Sequence, residues 1–297
     1  MKLIWLKVLV IGVLLGGSFA FYSFGTHDVT FDVPQSVSFA EVAERVRSVE
    51  AEEEVESPLS ILQESEPVVS NTLEASVQES PSEPVVLQGE GVDSGTALPS
   101  EVNLDVPFTS QAPFGNWDEV HEETCEEATV LMVHAYYEGQ ARGVIDPNVA
   151  EEVLQDMVES ENLIFGYFKD TTVEETAKFA EIYYGYGHVE VLENPEMNTL
   201  KRHLAEGRPV IVPTSGRILA NPFFSGIGPI YHMVVLKGYT KDGFIVNDPG
   251  TRRGADWVYG YDHLMSAIHD WVVLEGIEDH PDDIPVSARR AFVIYPN

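Results

Sequence analysis

A thiol does acyl chemistry only where its surroundings favour thiolate, and this 297-residue chain holds a single cysteine, Cys125. Its neighbours read Thr124-Cys125-Glu126-Glu127, a capping-box pattern with Thr124 as the cap and Glu127 three residues on. That pattern predicts a helix whose first residue is Cys125. There, unpaired backbone N–H groups and the positive end of the helix dipole favour thiolate. Four carboxylates, Glu122, Glu123, Glu126 and Glu127, work the other way unless they point elsewhere, and an imidazolium partner has to outweigh them. The alternative for Cys125 is packing beneath the helix start, since free cysteine is among the most buried residue types.

An imidazole and a carboxylate are available at a predicted hairpin. Tyr231-His232-Met233-Val234-Val235-Leu236 reads as an apolar strand, and beyond the turn Lys241-Asp242-Gly243 a second strand, Phe244 to Asn247, ends at Asp248-Pro249. Folding back returns the end of the second strand to the start of the first, so His232 and Asp248 can approach. A base is held in one tautomer by an acceptor on its other ring nitrogen, and Asp248 or its neighbour Asn247 would supply that acceptor. Singly, His232 also reads as a strand-end histidine and Asp248 as an Asp-Pro turn.

The elements that must position these residues follow from periodicity and punctuation. Helices are expected over Thr124 to Tyr137, with Ala128, Leu131, Met132 and Ala135 as the buried stripe, and over Asp146 to Glu161, Thr172 to Tyr184 and Met197 to Glu206. Strands are expected over Pro209 to Val212, Tyr231 to Tyr239, Phe244 to Asn247, Trp257 to Tyr259 and Ala291 to Tyr295. Helices precede strands, which argues for an α+β fold with an antiparallel sheet. The loop Pro222 to Pro229, rich in Phe and Gly, reads either as one wall of a cleft or as an aromatic packing loop.

Composition removes several classes of function. A formal net charge of -32 opposes contact with nucleic acid phosphates. One cysteine excludes an intramolecular disulfide and any cysteine-rich metal site. His121, His134, His232, His263 and His269 show no metal-ligand spacing, so neither a metal nor another cofactor is expected.

The chain divides into three parts. Residues 1–25 are an apolar run with lysines only at its start, a signal anchor or a signal peptide cleaved near Ala20. Residues 26–100 comprise a juxtamembrane segment, with a short helix from Ser38, and a Glu-, Ser- and Pro-rich linker of disordered composition. Residues 101–297 form the folded domain. This predicts a single-pass membrane protein with its C-terminal domain outside the cell membrane, or a secreted one if cleaved, acting as a monomer.

Five segments in order carry a resemblance: Val106-Pro107-Phe108-Thr109-Ser110-Gln111, Cys125-Glu126-Glu127-Ala128, Gly207-Arg208-Pro209-Val210-Ile211-Val212, Tyr231-His232-Met233-Val234-Val235 and Asn247-Asp248-Pro249. Together they resemble the C39-like peptidase family of the papain-like superfamily, from about Leu104 to the C-terminus. The resemblance implies a papain-like α+β fold, N-terminal helices packed on an antiparallel sheet, with a Cys-His-Asp triad at Cys125, His232 and Asp248. It also implies that Gln111 donates to the oxyanion, and that the substrate is a peptide or protein. The segment Ala112 to Thr124 departs from the family as an added loop.

Overall fold

Side chains alternate between the two faces of the strand that begins at Tyr231, and this alternation divides the domain into two layers. Tyr231, Met233 and Val235 belong to one buried cluster, while Val234 and Leu236 belong to another on the opposite face of the sheet. The computed structural model describes residues 97–271 and 287–296. The anticipated anchor or signal peptide and nearly all of the linker, with the helix expected from Ser38, lie outside the described residues. Among the described residues no helix is long and apolar enough to cross a membrane.

In chain order the elements are β1 (Val102–Asn103), α1 (Cys125–Tyr137), α2 (Pro147–Ile164), α3 (Val173–Tyr184), β2 (Val189–Glu193), α4 (Met197–Ala205), β3 (Val210–Ser215), α5 (Gly216–Leu219), β4 (Tyr231–Tyr239), β5 (Phe244–Asn247), β6 (Trp257–Tyr259), α6 (Tyr261–Ala267) and β7 (Arg290–Ile294). The strands form one sheet in the order β2-β7-β3-β4-β5-β6, with β1 also paired to β4, and every pairing is antiparallel. The fold is therefore α+β, with the N-terminal helices packed on an antiparallel sheet. α1, α2 and α3 cover one face, while residues of α4, α5 and α6 join the cluster on the other.

Local chemistry accounts for the helix starts. Asp146 accepts a hydrogen bond from Asn148 N–H with Pro147 in the first turn, and Thr172 with Glu175 forms a complete capping box. The box expected at Thr124 and Glu127 is absent. The Thr124 hydroxyl donates instead to the Gln111 carbonyl at 3.2 Å, tying the start of α1 to the segment before it. The stripe Ala128, Leu131, Met132 and Ala135 is buried as expected, but so are Thr129, Val130 and Val133. α1 lies between β4 and the helices α2 and α3, so it has little exposed face. β1, β2, α5 and α6 were not anticipated, and β3 continues beyond Val212 to Ser215.

The buried side of α1 includes Glu127. Its carboxyl meets that of Glu161 on α2; both are fully buried, and among the described residues no other residue donates a hydrogen bond to either. Burial raises the Glu127 carboxyl to about 7. Burial and the neighbouring Glu127 push Glu161 well above the ordinary carboxylate range. A proton between the two carboxyls removes most of the repulsion.

Both folded-state values lie above the unfolded ones, so the pair's contribution to stability is complete below the unfolded pKa near 4.5 and is lost as pH rises through 7. The urea midpoint of the wild-type protein should thus fall between about pH 5 and about pH 8. Replacing both residues by Gln should flatten that profile. A midpoint equally pH-dependent in the double variant would show that the slope arises elsewhere.

Candidate active site

Four chain segments converge at one end of the sheet. The segment after β1 is fixed by Phe108 N–H donating to Gly143 O at 2.8 Å and Gln111 N–H donating to Pro249 O at 3.0 Å. Asn247, the rival acceptor for His232, spends its side-chain amide on the carbonyls of Val106 and Pro107, at 3.2 and 3.0 Å. Cys125 opens α1, His232 is the second residue of β4, and Asp248 directly follows β5. In the β4–β5 hairpin Tyr239 pairs with Phe244 near the turn and Val235 with Asn247, which leaves His232 and Asp248 together at the open end.

His232 Nε2 lies 2.8 Å from Asp248 Oδ1, and both side chains are buried. An ionised Asp248 can only accept, so Nε2 carries the hydrogen and Nδ1 is the nitrogen left for proton transfer. Asp248 Oδ1 also accepts the Gly250 N–H at 3.0 Å, and Oδ2 accepts from the Tyr259 hydroxyl at 2.7 Å and the Asn221 amide at 2.8 Å. Burial works to raise this carboxyl. The charge of His232 and the hydrogen bonds from His232, Tyr259 and Asn221 outweigh it and hold Asp248 below the ordinary carboxylate range. Gly250 lies against the imidazole so closely that a β-carbon there would come within 2.8 Å of His232 Cε1. Phe224 meets the same ring edge-on, with centroids 5.3 Å apart.

Nothing in the sequence marks Asn221, Gly250 or Tyr259 for this role. Asn221 directly precedes the loop Pro222 to Pro229, Gly250 follows Asp248-Pro249, and Tyr259 ends an expected strand. They are assembled only by tertiary structure.

The sulfur has other partners. Cys125 Sγ donates to Glu126 Oε2 at 2.9 Å and accepts the Met233 N–H at 3.4 Å. Among the described residues its hydrogen-bond partners do not include His232, although both line the same cleft. Burial, then the charge of Glu126 and the hydrogen bond to it, push the thiol well above its ordinary range; the Met233 N–H acts in the opposite direction. Of the four acidic neighbours that the sequence brought forward, Glu126 and Glu127 point inward and are buried, while Glu122 and Glu123 line the cleft. Burial and then the proximity of Glu127 push the Glu126 carboxyl well above the ordinary carboxylate range.

Gln111 also lines the cleft, but both N–H bonds of its amide are engaged. Nε2 donates to the carbonyls of His121 and Glu122, at 2.9 and 3.1 Å, and among the described residues Oε1 has no hydrogen-bond partner. His121 is itself held between Asp118 at 2.7 Å and Glu151 at 3.0 Å, which fixes the added loop. The other histidines go elsewhere: His134 stacks on Tyr184, His263 meets the Leu219 carbonyl and His269 that of Ser287. Among the described residues no group of three or more His, Cys, Asp or Glu is arranged to hold a metal ion.

The cleft encloses about 710 Å³. Phe223, Phe224, Gly228 and Pro229 contribute to its lining, so the loop Pro222 to Pro229 is a cleft wall rather than a remote packing loop. Trp117, from the added loop, lines it too, as does Trp271. The arrangement can therefore hold an apolar chain beside a thiol and an oriented imidazole.

Two substitutions probe this geometry. Glu126→Gln removes both contributions of that residue to the raised thiol, so the midpoint of the pH–rate profile for iodoacetamide alkylation should move to lower pH; an unmoved midpoint would show that burial alone sets it. Tyr259→Phe leaves Asp248 Oδ2 with one donor fewer. It should cost about 1.5–3 kcal/mol of folding stability by denaturant titration, whereas a loss below about 0.5 kcal/mol would mean that water replaces the hydroxyl freely.

The model of the Peptidase_C39 like family matches residues 103–276. No curated protein matches the chain. Among solved structures, the chain is similar to that of a Bacillus anthracis protein assigned to the C39-like peptidases, at 15% sequence identity and a TM-score of 0.42, covering 66% of this chain and 98% of that one. The family match takes in more than half of the sequence, including Gln111, Cys125, His232 and Asp248, and with it the chain belongs to the Peptidase_C39 like family, that of cysteine peptidase-like hydrolases.

Proposed function

We propose that this domain is a cysteine peptidase or amidase, tethered outside the membrane by its N-terminal segment, in which Cys125, His232 and Asp248 act as a triad. The supporting observation is the buried bond between His232 Nε2 and Asp248 Oδ1, which leaves Nδ1 as the base in a cleft shared with Cys125. On substrate binding the thiol exchanges Glu126 for His232 and gives its proton to Nδ1. The thiolate attacks the carbonyl carbon, and the oxyanion faces the backbone N–H of Cys125, which has no acceptor within the helix. Gln111 joins it by releasing one loop carbonyl and turning that N–H to the oxyanion. Collapse of the intermediate breaks the C–N bond, the amine leaves with the proton from His232, and water activated by His232 then hydrolyses the thioester and restores the thiol. The reaction as written needs no cofactor.

A second reading, a catalytically silent papain-like binding module of the cell envelope, draws support from the same site. The thiol is bonded to Glu126 and the Gln111 amide is committed to the loop.

A peptidyl vinyl sulfone, which needs a thiolate beside an imidazole, separates the two. Mass spectrometry should find one adduct per chain on the wild-type protein, none on Cys125→Ala, and labelling slowed by about 10²-fold or more on His232→Ala. A wild-type protein that stays unlabelled would favour the silent module.

A further inference from the structure

The chain carries 17 Lys and Arg residues against 49 Asp and Glu, so a carboxylate partner is easily found for almost any cation. Arg142, Lys178, Arg208, Lys237, Lys241 and Arg290 each have one. Arg252 and Arg253 form no ion pair among the described residues, and they are the two Lys or Arg side chains on the lining of the cleft that holds Cys125 and His232.

Their positions are fixed relative to the triad. They lie in the turn that follows Asp248, which closes through Asp248 N–H to Gly254 O at 3.0 Å and Gly254 N–H to Thr251 O at 3.2 Å. A β-carbon at Gly254 would come within 1.8 Å of Asp248 O, so glycine is required for that closure. Arg253 N–H donates to the Thr251 hydroxyl at 3.2 Å, and its guanidinium lies over the Phe223 ring, 5.0 Å from the centroid. Phe223 rests edge-on against Trp257. The Arg252 side chain lies across Gly115 of the added loop. Two guanidinium groups are thus presented to the cleft by a turn whose other end is the triad aspartate. Glu122, Glu123 and Asp170 line the cleft as well, so an anionic group on a substrate is drawn toward this turn and away from those carboxylates.

We propose that Arg252 and Arg253 form a carboxylate-recognising subsite, which selects acyl substrates bearing an acidic side chain or a free C-terminal carboxylate near the scissile bond. The proposal rests on the reading of the cleft as an acyl-substrate site. Guanidinium forks suit a carboxylate because two parallel N–H groups match its two oxygens.

The test uses the full-length chain carrying Cys125→Ala, with Arg252 and Arg253 intact or both replaced by Gln. The probes are N-acetylated alanine hexapeptide amides with one Glu or one Gln at each position, and the all-alanine peptide as free acid and as amide. Binding is read from tryptophan fluorescence, since Trp117 and Trp271 line the cleft. At least one carboxylate peptide should bind about fivefold or more tightly than its neutral counterpart, a preference lost in the double variant while the affinity for neutral peptides stays unchanged. Preference in the Glu series marks a side-chain carboxylate; preference in the acid and amide pair marks a chain terminus. Equal affinities in the intact protein, a preference that survives the double substitution, or no peptide bound at all would overturn the subsite.

Vinyl sulfone labelling of the wild-type protein is read alongside. Labelling without carboxylate preference removes the subsite and leaves the hydrolase reading, and preference without labelling does the reverse.

Discussion

An ionised carboxylate without solvent contact survives in this fold because donors converge on it. Asp248 accepts from His232, Gly250, Asn221 and Tyr259, and the remainder of the site follows from holding those donors in place. Gly250 must approach the imidazole without a side chain, which shapes the turn from Asp248 to Gly254. Asn221 brings the start of the aromatic wall to the sheet, and Phe224 of that wall then packs on His232. Tyr259 draws in the end of β6. A single charge thereby specifies the positions of three loops, and losing one donor leaves a buried acceptor underserved rather than merely weakening a contact.

The features visible in the sequence were those written locally. The hairpin from Tyr231 to Asn247 could be read to the residue because alternating apolar runs flank an Asp-Gly turn, and its register brings His232 to Asp248. α1 could be placed by its apolar spacing, but the cap assigned to Thr124 was not, since a hydroxyl with a carbonyl from Gln111 within reach does not need its own helix. β2 escaped notice because it is an edge strand with most residues half-buried, so it lacks the continuous apolar run of β3 or β4. Asn221 and Tyr259 could not be found at all: their role depends on which buried atom they reach, and no spacing encodes that. Gln111, the oxyanion donor that the resemblance implies, lines the cleft, but the direction of its amide depends on two loop carbonyls that only the folded added loop supplies.

Burial alone does not decide the charge of a carboxyl in this domain; the supply of donors does. Asp248 and Glu127 are both fully buried, yet Asp248 sits below the ordinary carboxylate range and Glu127 rises to about 7. Asp248 receives N–H and O–H groups from four residues, whereas Glu127 finds chiefly another carboxyl. Glu126 belongs to the second kind, and the thiol that touches it shares its environment. A protonated thiol beside Glu126 adds no further charge to that buried carboxyl. A thiolate there would be a second unserved anion unless the imidazole, whose other nitrogen is already committed to Asp248, turns its free side to the sulfur. The donor-rich and donor-poor halves of the site are thus complementary: one half holds a negative charge, and in the proposed mechanism His232 is the means by which the other acquires one.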